Sequence, residues 1–154
     1  MTYLKILNPN EKAEIEAKLK EQFAVNSIPG ILIKRGEERI FFFSGDLSEE
    51  QVENLEKCAF IERMGVYFGK VINGEIRLSI EGSQILGKQI KKNIFTLNSE
   101  QTKEWMMGRE LLISTGKKGF LIMKSDSDFL GTGKASEHKI GNFIPKSRRL
   151  KEKN

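Results

Sequence analysis

The residues of this chain that could do chemistry are few. The segment Gly82-Ser-Gln-Ile-Leu-Gly-Lys88 comes close to the nucleotide-binding loop G-x-x-x-x-G-K-[ST], in which backbone amides and the lysine cradle phosphates while a hydroxyl holds magnesium. Its last position is Gln89, which has no hydroxyl to offer. Residues 90–97 read as a strand instead of the long helix whose N-terminus should face the phosphates, and no apolar strand ending in a magnesium-binding acid follows at a suitable distance. The single histidine, His138, sits in the polar turn Ser136-Glu-His-Lys139, a poor place for a water-excluded Ser/His/Asp arrangement. One histidine and one cysteine, Cys58, make no metal constellation. Cys58 reads as a small buried hydrophobe, and Asp126 with Asp128 as a hairpin turn. No catalytic residue, metal or cofactor is expected.

Cation density is what the chain does offer. Lys88, Lys91 and Lys92 follow the glycines of the near-motif, and Lys146, Arg148 and Arg149 close the chain. Residues 1–75 hold 10 Lys+Arg against 13 Asp+Glu, a net of −3, whereas residues 76–154 hold 16 against 8, a net of +8. A basic half beside a slightly acidic one steers polyanions to one end of a molecule. Lysines and arginines neutralise phosphates while glycine amides approach closely. Arg148 and Arg149 carry the most weight, because arginine grips phosphate bidentately or stacks on an unpaired base. Neither is expected to be buried.

These groups must be positioned by two runs of elements. Pro9 follows a capping Asn8, and Ile15, Leu19 and Phe23 form an apolar stripe, which predicts a helix ending near Val25. Residues 31–33 and 40–43 read as strands. Ser48 and Gln51 fit a capping box, with Leu47 and Val52 as a hydrophobic staple, for a helix reaching about Lys57. Asn73-Gly74, between Val71-Ile72 and a strand beginning at Ile76, predicts a tight hairpin. Beyond it come a short helix or turn over residues 81–88, a strand at 93–97, a helix capped by Asn98 and Gln101, and strands at 111–113, 120–123, 129–135 and 140–144. Many short strands with glycines at their bends favour a small barrel. The domain boundary is placed at the hairpin, giving units of 1–75 and 76–154 packed together. No apolar run approaches the roughly 20 residues a bilayer requires. The first residues lack a basic leader with a long apolar stretch, so a cytoplasmic protein without membrane association is expected.

Ile76-Arg-Leu-Ser-Ile-Glu-Gly82, Trp105-Met-Met-Gly-Arg109, Asp128-Phe-Leu-Gly-Thr-Gly-Lys134 and Asn142-Phe-Ile-Pro-Lys-Ser-Arg-Arg149, in this order and spacing, resemble the PUA domain, a small pseudo-barrel that binds structured RNA. Gly65-Val-Tyr-Phe-Gly-Lys70 with the Phe-rich strands resembles the pre-PUA domain of archaeal relatives of a large-subunit ribosome biogenesis factor. The segment from Gly119 onward is also similar to the RNA-binding extension beside cytosine-5 RNA methyltransferase domains. These resemblances imply an α+β fold, a mixed α/β pre-PUA-like unit packed on a PUA-like pseudo-barrel. They also imply an RNA surface at Gly82, Ser83, Gly87 and Lys88 and at the last strand, Asn142 to Arg149. Lys91, Lys92 and Arg109 join it on charge. Asn142 either touches RNA or fixes the turn of its strand. Arg109 follows Gly108 at a helix end, where a dipole interaction is the plainer role. Trp105 and Phe143 read as core more readily than as stacking platforms.

The expected function is non-enzymatic binding of structured RNA, ribosomal RNA during ribosome biogenesis, with transfer RNA as a further target and a protein partner on the N-terminal unit. The alternative is a targeting subunit for a separate RNA-modifying enzyme such as a cytosine-5 methyltransferase. A protein-only adaptor is the third class, distinguished by the absence of salt-sensitive RNA affinity.

Overall fold

The structure is a computed structural model that describes residues 4–44 and 65–151. The helix expected at residues 48–57 and Cys58 lie outside the described residues. Among the described residues no helix is long and apolar enough to cross a membrane.

The chain opens with β1 (Leu4–Ile6) and α1 (Pro9–Phe23). Asn8 starts the helix by a reciprocal capping box: its side chain accepts from the Glu11 amide at 2.9 Å, and its own amide donates to the Glu11 carboxylate at 3.1 Å. That backbone donor, and next the Lys5 ammonium, hold the Glu11 carboxyl below the usual carboxylate range. The contribution of this box is therefore present at neutral pH and is lost as pH falls through the lowered value. Leu19 and Phe23 are fully buried. Each removes an apolar side chain from water, stabilising by about 1.5–3 kcal/mol.

Strands β2 (Ile31–Arg35), β3 (Arg39–Phe43), β4 (Val66–Ile72) and β5 (Glu75–Leu78) complete an antiparallel sheet with the order β1-β2-β3-β4-β5. The β4–β5 turn is the expected one, with Asn73 and Gly74 both at positive φ, 50° and 78°. Alternation sets two faces. Leu32, Ile40, Phe42, Phe68, Ile76 and Leu78 share one apolar cluster with Leu19 and Phe23 of α1. The Gln22 side chain completes that packing by pairing with both backbone groups of Ile76, at 2.8 and 3.1 Å. It satisfies the open edge of β5 as a further strand would.

The second sheet has the order β6-β7-β8-β9, from β6 (Ile94–Leu97), β7 (Gly119–Ser125), β8 (Asp128–Ala135) and β9 (Ile140–Asn142). β6 pairs with β7 in parallel, a relation the linear pattern did not suggest. Between β5 and β6 lie α2 (Ile80–Ile85) and a 3₁₀ turn at Gly87–Gln89; between β6 and β7 lies α3 (Ser99–Met106), opened by the predicted Asn98/Gln101 capping box. The strand expected at residues 111–113 is reduced to one bridge, Leu111 with Ile140. The Ile113 amide turns back on the Leu111 carbonyl at 3.0 Å, which ends the extended run.

The two sheets meet through α2, which contacts β4, β5 and β8. Thr132 Oγ1 on β8 donates to the Leu78 carbonyl of β5 at 2.9 Å. A second apolar cluster surrounds Trp105, with Leu97, Leu121, Met123, Ile140 and Ile144. Phe120 and Ile122, the alternate residues of β7, belong to the first cluster. The result is a mixed helix-and-sheet fold with two sheets and short helices.

Candidate nucleic-acid interface

The near-motif at residues 82–89 is a structural plug. Ser79 caps α2 by accepting from the Gly82 amide at 2.9 Å and donates to the backbone of β4. Gly82 lies so close to that strand that an added Cβ would stand 2.1 Å from the Phe68 carbonyl oxygen. Ser83 is fully buried, donating to the Ile80 carbonyl at 2.7 Å and accepting from the Gly131 amide at 3.0 Å. Gln89 brackets residues 26 and 27, accepting from both amides at 3.0 Å and donating to the Ser27 carbonyl at 2.8 Å. The polar groups of Gly82, Ser83 and Gln89 are thus spent on holding the segment in place.

Lys88, Lys91 and Lys92 are exposed. Gly87 packs on the Phe129 ring, which an added Cβ would meet at 2.9 Å. With Lys88, Gln84, Ser127 and Asp128 they outline a shallow groove of about 270 Å³. The Lys91 amide is tied to the end of α1 through the Phe23 carbonyl at 3.0 Å.

The terminal segment is divided in its roles. Asn142 donates to the carbonyls of Trp105 and Arg109 at 2.8 and 3.0 Å and accepts from the Ile144 amide at 2.8 Å. It thereby ties the start of the last segment to the backbone just around the end of α3, which accords with the turn-fixing one of its two readings. Arg109 forms a two-pronged pair with Glu104, at 2.9 and 3.0 Å, on the surface. Lys146 and Arg148 are exposed on a final 3₁₀ turn, and Arg148 pairs with Glu81 of α2. Arg149 departs from the expectation of an exposed side chain. It is half-buried, donates to the Ile144 carbonyl at 2.9 Å and lies against Gly108. The absence of a Cβ at Gly108 makes this possible.

Gly108 has φ of 85°, and a methyl there would fall 2.3–2.7 Å from the Arg149 guanidinium and its neighbouring carbons. Gly108→Ala is therefore expected to destabilise the protein by about 1–2 kcal/mol, the size of the left-handed backbone penalty. It should also release the tail. A thermal melt, together with faster tryptic cleavage after Lys146 and Arg148, checks both effects.

The pair between Arg148 and Glu81 closes one side of a cleft that linear reasoning did not assemble. Its walls include Tyr67, Arg77, Ser79, Glu81, Leu130, Phe143 and Arg148. The Arg77 guanidinium lies 4.2 Å from the centroid of the Phe143 ring, and Phe120 meets that ring edge-on at 6.4 Å. Phe143 is 37% exposed and Trp105 fully buried, so Phe143 belongs to this surface. Trp105 belongs to the core, its indole N–H donating to the Leu130 carbonyl at 3.3 Å. Arg77 could have been noticed as the outward residue of the alternating Ile76-Arg-Leu78. Its aromatic partner, 66 residues further on, could not. The cleft and the Lys88 groove share no lining residue, so Lys88 and Arg148 belong to two separate places.

An arginine seated over a ring beside a second arginine and a tyrosine is an arrangement suited to phosphate and unpaired bases. Over 131 residues, 81% of the chain, the sequence is 25% identical to "Ribosomal RNA small subunit methyltransferase F" of Psychromonas ingrahamii; the chain spans about a quarter of that protein's length, 26%. Residues 92–150, which contain β6, α3 and β7 to β9, match the family described as "Methyltransferase RsmF PUA domain", and a PUA-type domain is thus found in this part of the chain.

Proposed function

We propose that this chain binds structured ribosomal RNA and does not itself catalyse a reaction. The observation that carries the reading is the PUA-type domain at residues 92–150. The exposed cations Lys88, Lys91, Lys92, Lys146 and Arg148 supply phosphate contacts around it, while Gly82, Ser83, Asn142 and Arg149 hold the elements that present them. In this reading residues 1–75 are a pre-PUA-like unit available to a protein partner, and the protein works in the cytoplasm during ribosome maturation.

A more specific role is favoured by the similarity to a ribosomal RNA methyltransferase over most of the chain. The protein would present ribosomal RNA to a separate methylating enzyme. Among the described residues no group of three or more His, Cys, Asp and Glu is placed to hold a metal ion.

Fluorescence anisotropy with labelled hairpins of small-subunit ribosomal RNA, and transfer RNA for comparison, tests the reading across a salt series. Log affinity is expected to fall linearly with log salt, by about 0.9 for each phosphate neutralised on a duplex, with ribosomal hairpins bound more tightly than transfer RNA. Affinity that is absent, or indifferent to salt, would leave the protein-only adaptor as the better description.

A further inference from the structure

The five-stranded sheet, drawn mostly from the slightly acidic half of the chain, carries a basic surface that the net charge of that half conceals. In the five-stranded sheet Arg35 stands opposite Arg39, Arg39 opposite Lys70, and Lys70 opposite Arg77. Residues directly opposite in antiparallel strands point to the same side, so four cations from four adjacent strands form one row. Strands lie about 4.8 Å apart. The row is on the side away from α1, because α1 packs on the alternate residues Leu32, Ile40, Phe42 and Ile76.

Like charges directly opposite one another are destabilising, and this row is hardly compensated. Glu38 pairs with Lys70 at 3.0 Å and draws that ammonium aside. Arg35 and Arg39 have no ion pair with a described residue. Both line a groove of about 640 Å³ together with Arg77, Phe41, Tyr67, Phe143 and Pro145, a set without a carboxylate. Phe41 and Tyr67 form a tilted pair with centroids 5.6 Å apart. Arg77, Tyr67, Phe143 and Pro145 also line the Arg148 cleft, so the row leads directly into the PUA-type domain.

We propose that Arg35, Arg39 and Arg77 form a track for single-stranded RNA across the five-stranded sheet, continuous with the Arg148 cleft, with phosphates over the arginines and an unpaired base on the outer face of the Arg77 guanidinium. This inference rests on the RNA-binding reading and extends it to residues outside the segment matched at 92–150. Three features select single-stranded RNA over an acidic protein segment. The cations lie in one row across successive strands, which suits a polymer that repeats its anions along its length. Tyr67 and the partly exposed Phe143 line the groove, and such rings offer bases stacking that carboxylate side chains cannot use. The Arg77 guanidinium is already seated over the Phe143 ring, so the cation is positioned before binding.

The test uses the full chain and a labelled 20-nucleotide oligouridine RNA over a salt series. Arg35→Gln/Arg39→Gln is expected to weaken binding at low salt by about tenfold or more and to reduce the salt slope by about 1.4, which is 0.7 for each of two lost single-strand phosphates. Lys12→Gln/Lys20→Gln on α1 removes the same charge from the other side of the sheet and should leave affinity within about twofold. The melting temperature of Arg39→Gln should hold or rise, because a repulsive pair is removed. If Arg35→Gln/Arg39→Gln does not fold, Arg35→Lys/Arg39→Lys replaces it and should keep the salt slope while losing part of the affinity. Unchanged affinity and slope in the arginine variants, with wild type still binding, overturns the track alone. No salt-sensitive RNA binding by wild type overturns the reading beneath it. Displacement of the oligonucleotide by an equal charge of polyglutamate overturns the assignment to RNA.

Discussion

Replacing Trp105 by alanine is expected to destabilise the protein by about 3–5 kcal/mol, the range for removing a large buried aromatic. Total stabilities of ordinary domains are about 5–15 kcal/mol, so the variant should be close to unfolded at 37 °C. Trp105 is fully buried at the centre of the cluster formed by Leu97, Leu121, Met123, Ile140 and Ile144. The surrounding structure is built to admit it. An added Cβ at Gly133 would stand 2.5 Å from Ile140 and 2.8 Å from the Trp105 ring, so that strand gives up a side chain to make room. Circular dichroism melts measure the effect. Trp105→Phe keeps most of the volume, loses the hydrogen bond to the Leu130 carbonyl, and should remain folded and bind RNA normally. A folded Trp105→Phe protein that no longer bound RNA would place this residue in the interface instead of the core.

Gly82→Ala is expected to be almost as damaging, at about 3 kcal/mol, the upper part of the range for overpacking a filled interior. The collision is with backbone, 2.1 Å from the Phe68 carbonyl oxygen, and neither partner is a flexible side-chain end that can swing away. α2 would have to lift from β4, straining the Ser79 cap and the link from Ser83 to Gly131. Urea denaturation should show a lower midpoint. At low temperature, where the variant is folded, RNA affinity should stay within about threefold of wild type, since Gly82 acts by placing α2. A large affinity loss with unchanged stability would return Gly82 to the RNA surface.

Local signals were legible where a few adjacent residues determine geometry. Asn8 before Pro9, Asn98 with Gln101, and Asn73-Gly74 each specify a cap or a turn through contacts within four residues, and the structure forms all three. The resemblance to a PUA domain likewise rested on ordered motifs, of which those at residues 105–109, 128–134 and 142–149 lie in the part of the chain that the family comparison matches and the one at 76–82 lies before it. Features that depend on pairing between distant strands were not legible. The parallel β6–β7 pair needs α3 and the following loop to cross over before it exists. The arginine row needs the register of four strands, including the irregularity at Ile40 and Phe41 that keeps Tyr67 and Lys70 on one side. Summed charge pointed away from residues 1–75 because the acids of that half are averaged with Arg35 and Arg39. Arg149 looked like a surface cation because nothing in its own neighbourhood shows that Gly108 leaves space for it.

The alternation along β7 has a consequence for how the protein comes apart. Phe120 and Ile122 serve one apolar cluster and Leu121 and Met123 the other, so a single strand is the common wall of both. Loss of either cluster bares one side of that wall and weakens the other, which couples the two into one cooperative unit. Melting should proceed in a single transition, and the amide protons of residues 120–123 should exchange last, by global opening only. In the RNA-binding reading proposed above, this shared wall also ties the sheet that carries Arg35, Arg39 and Arg77 to the part of the chain that carries Arg148.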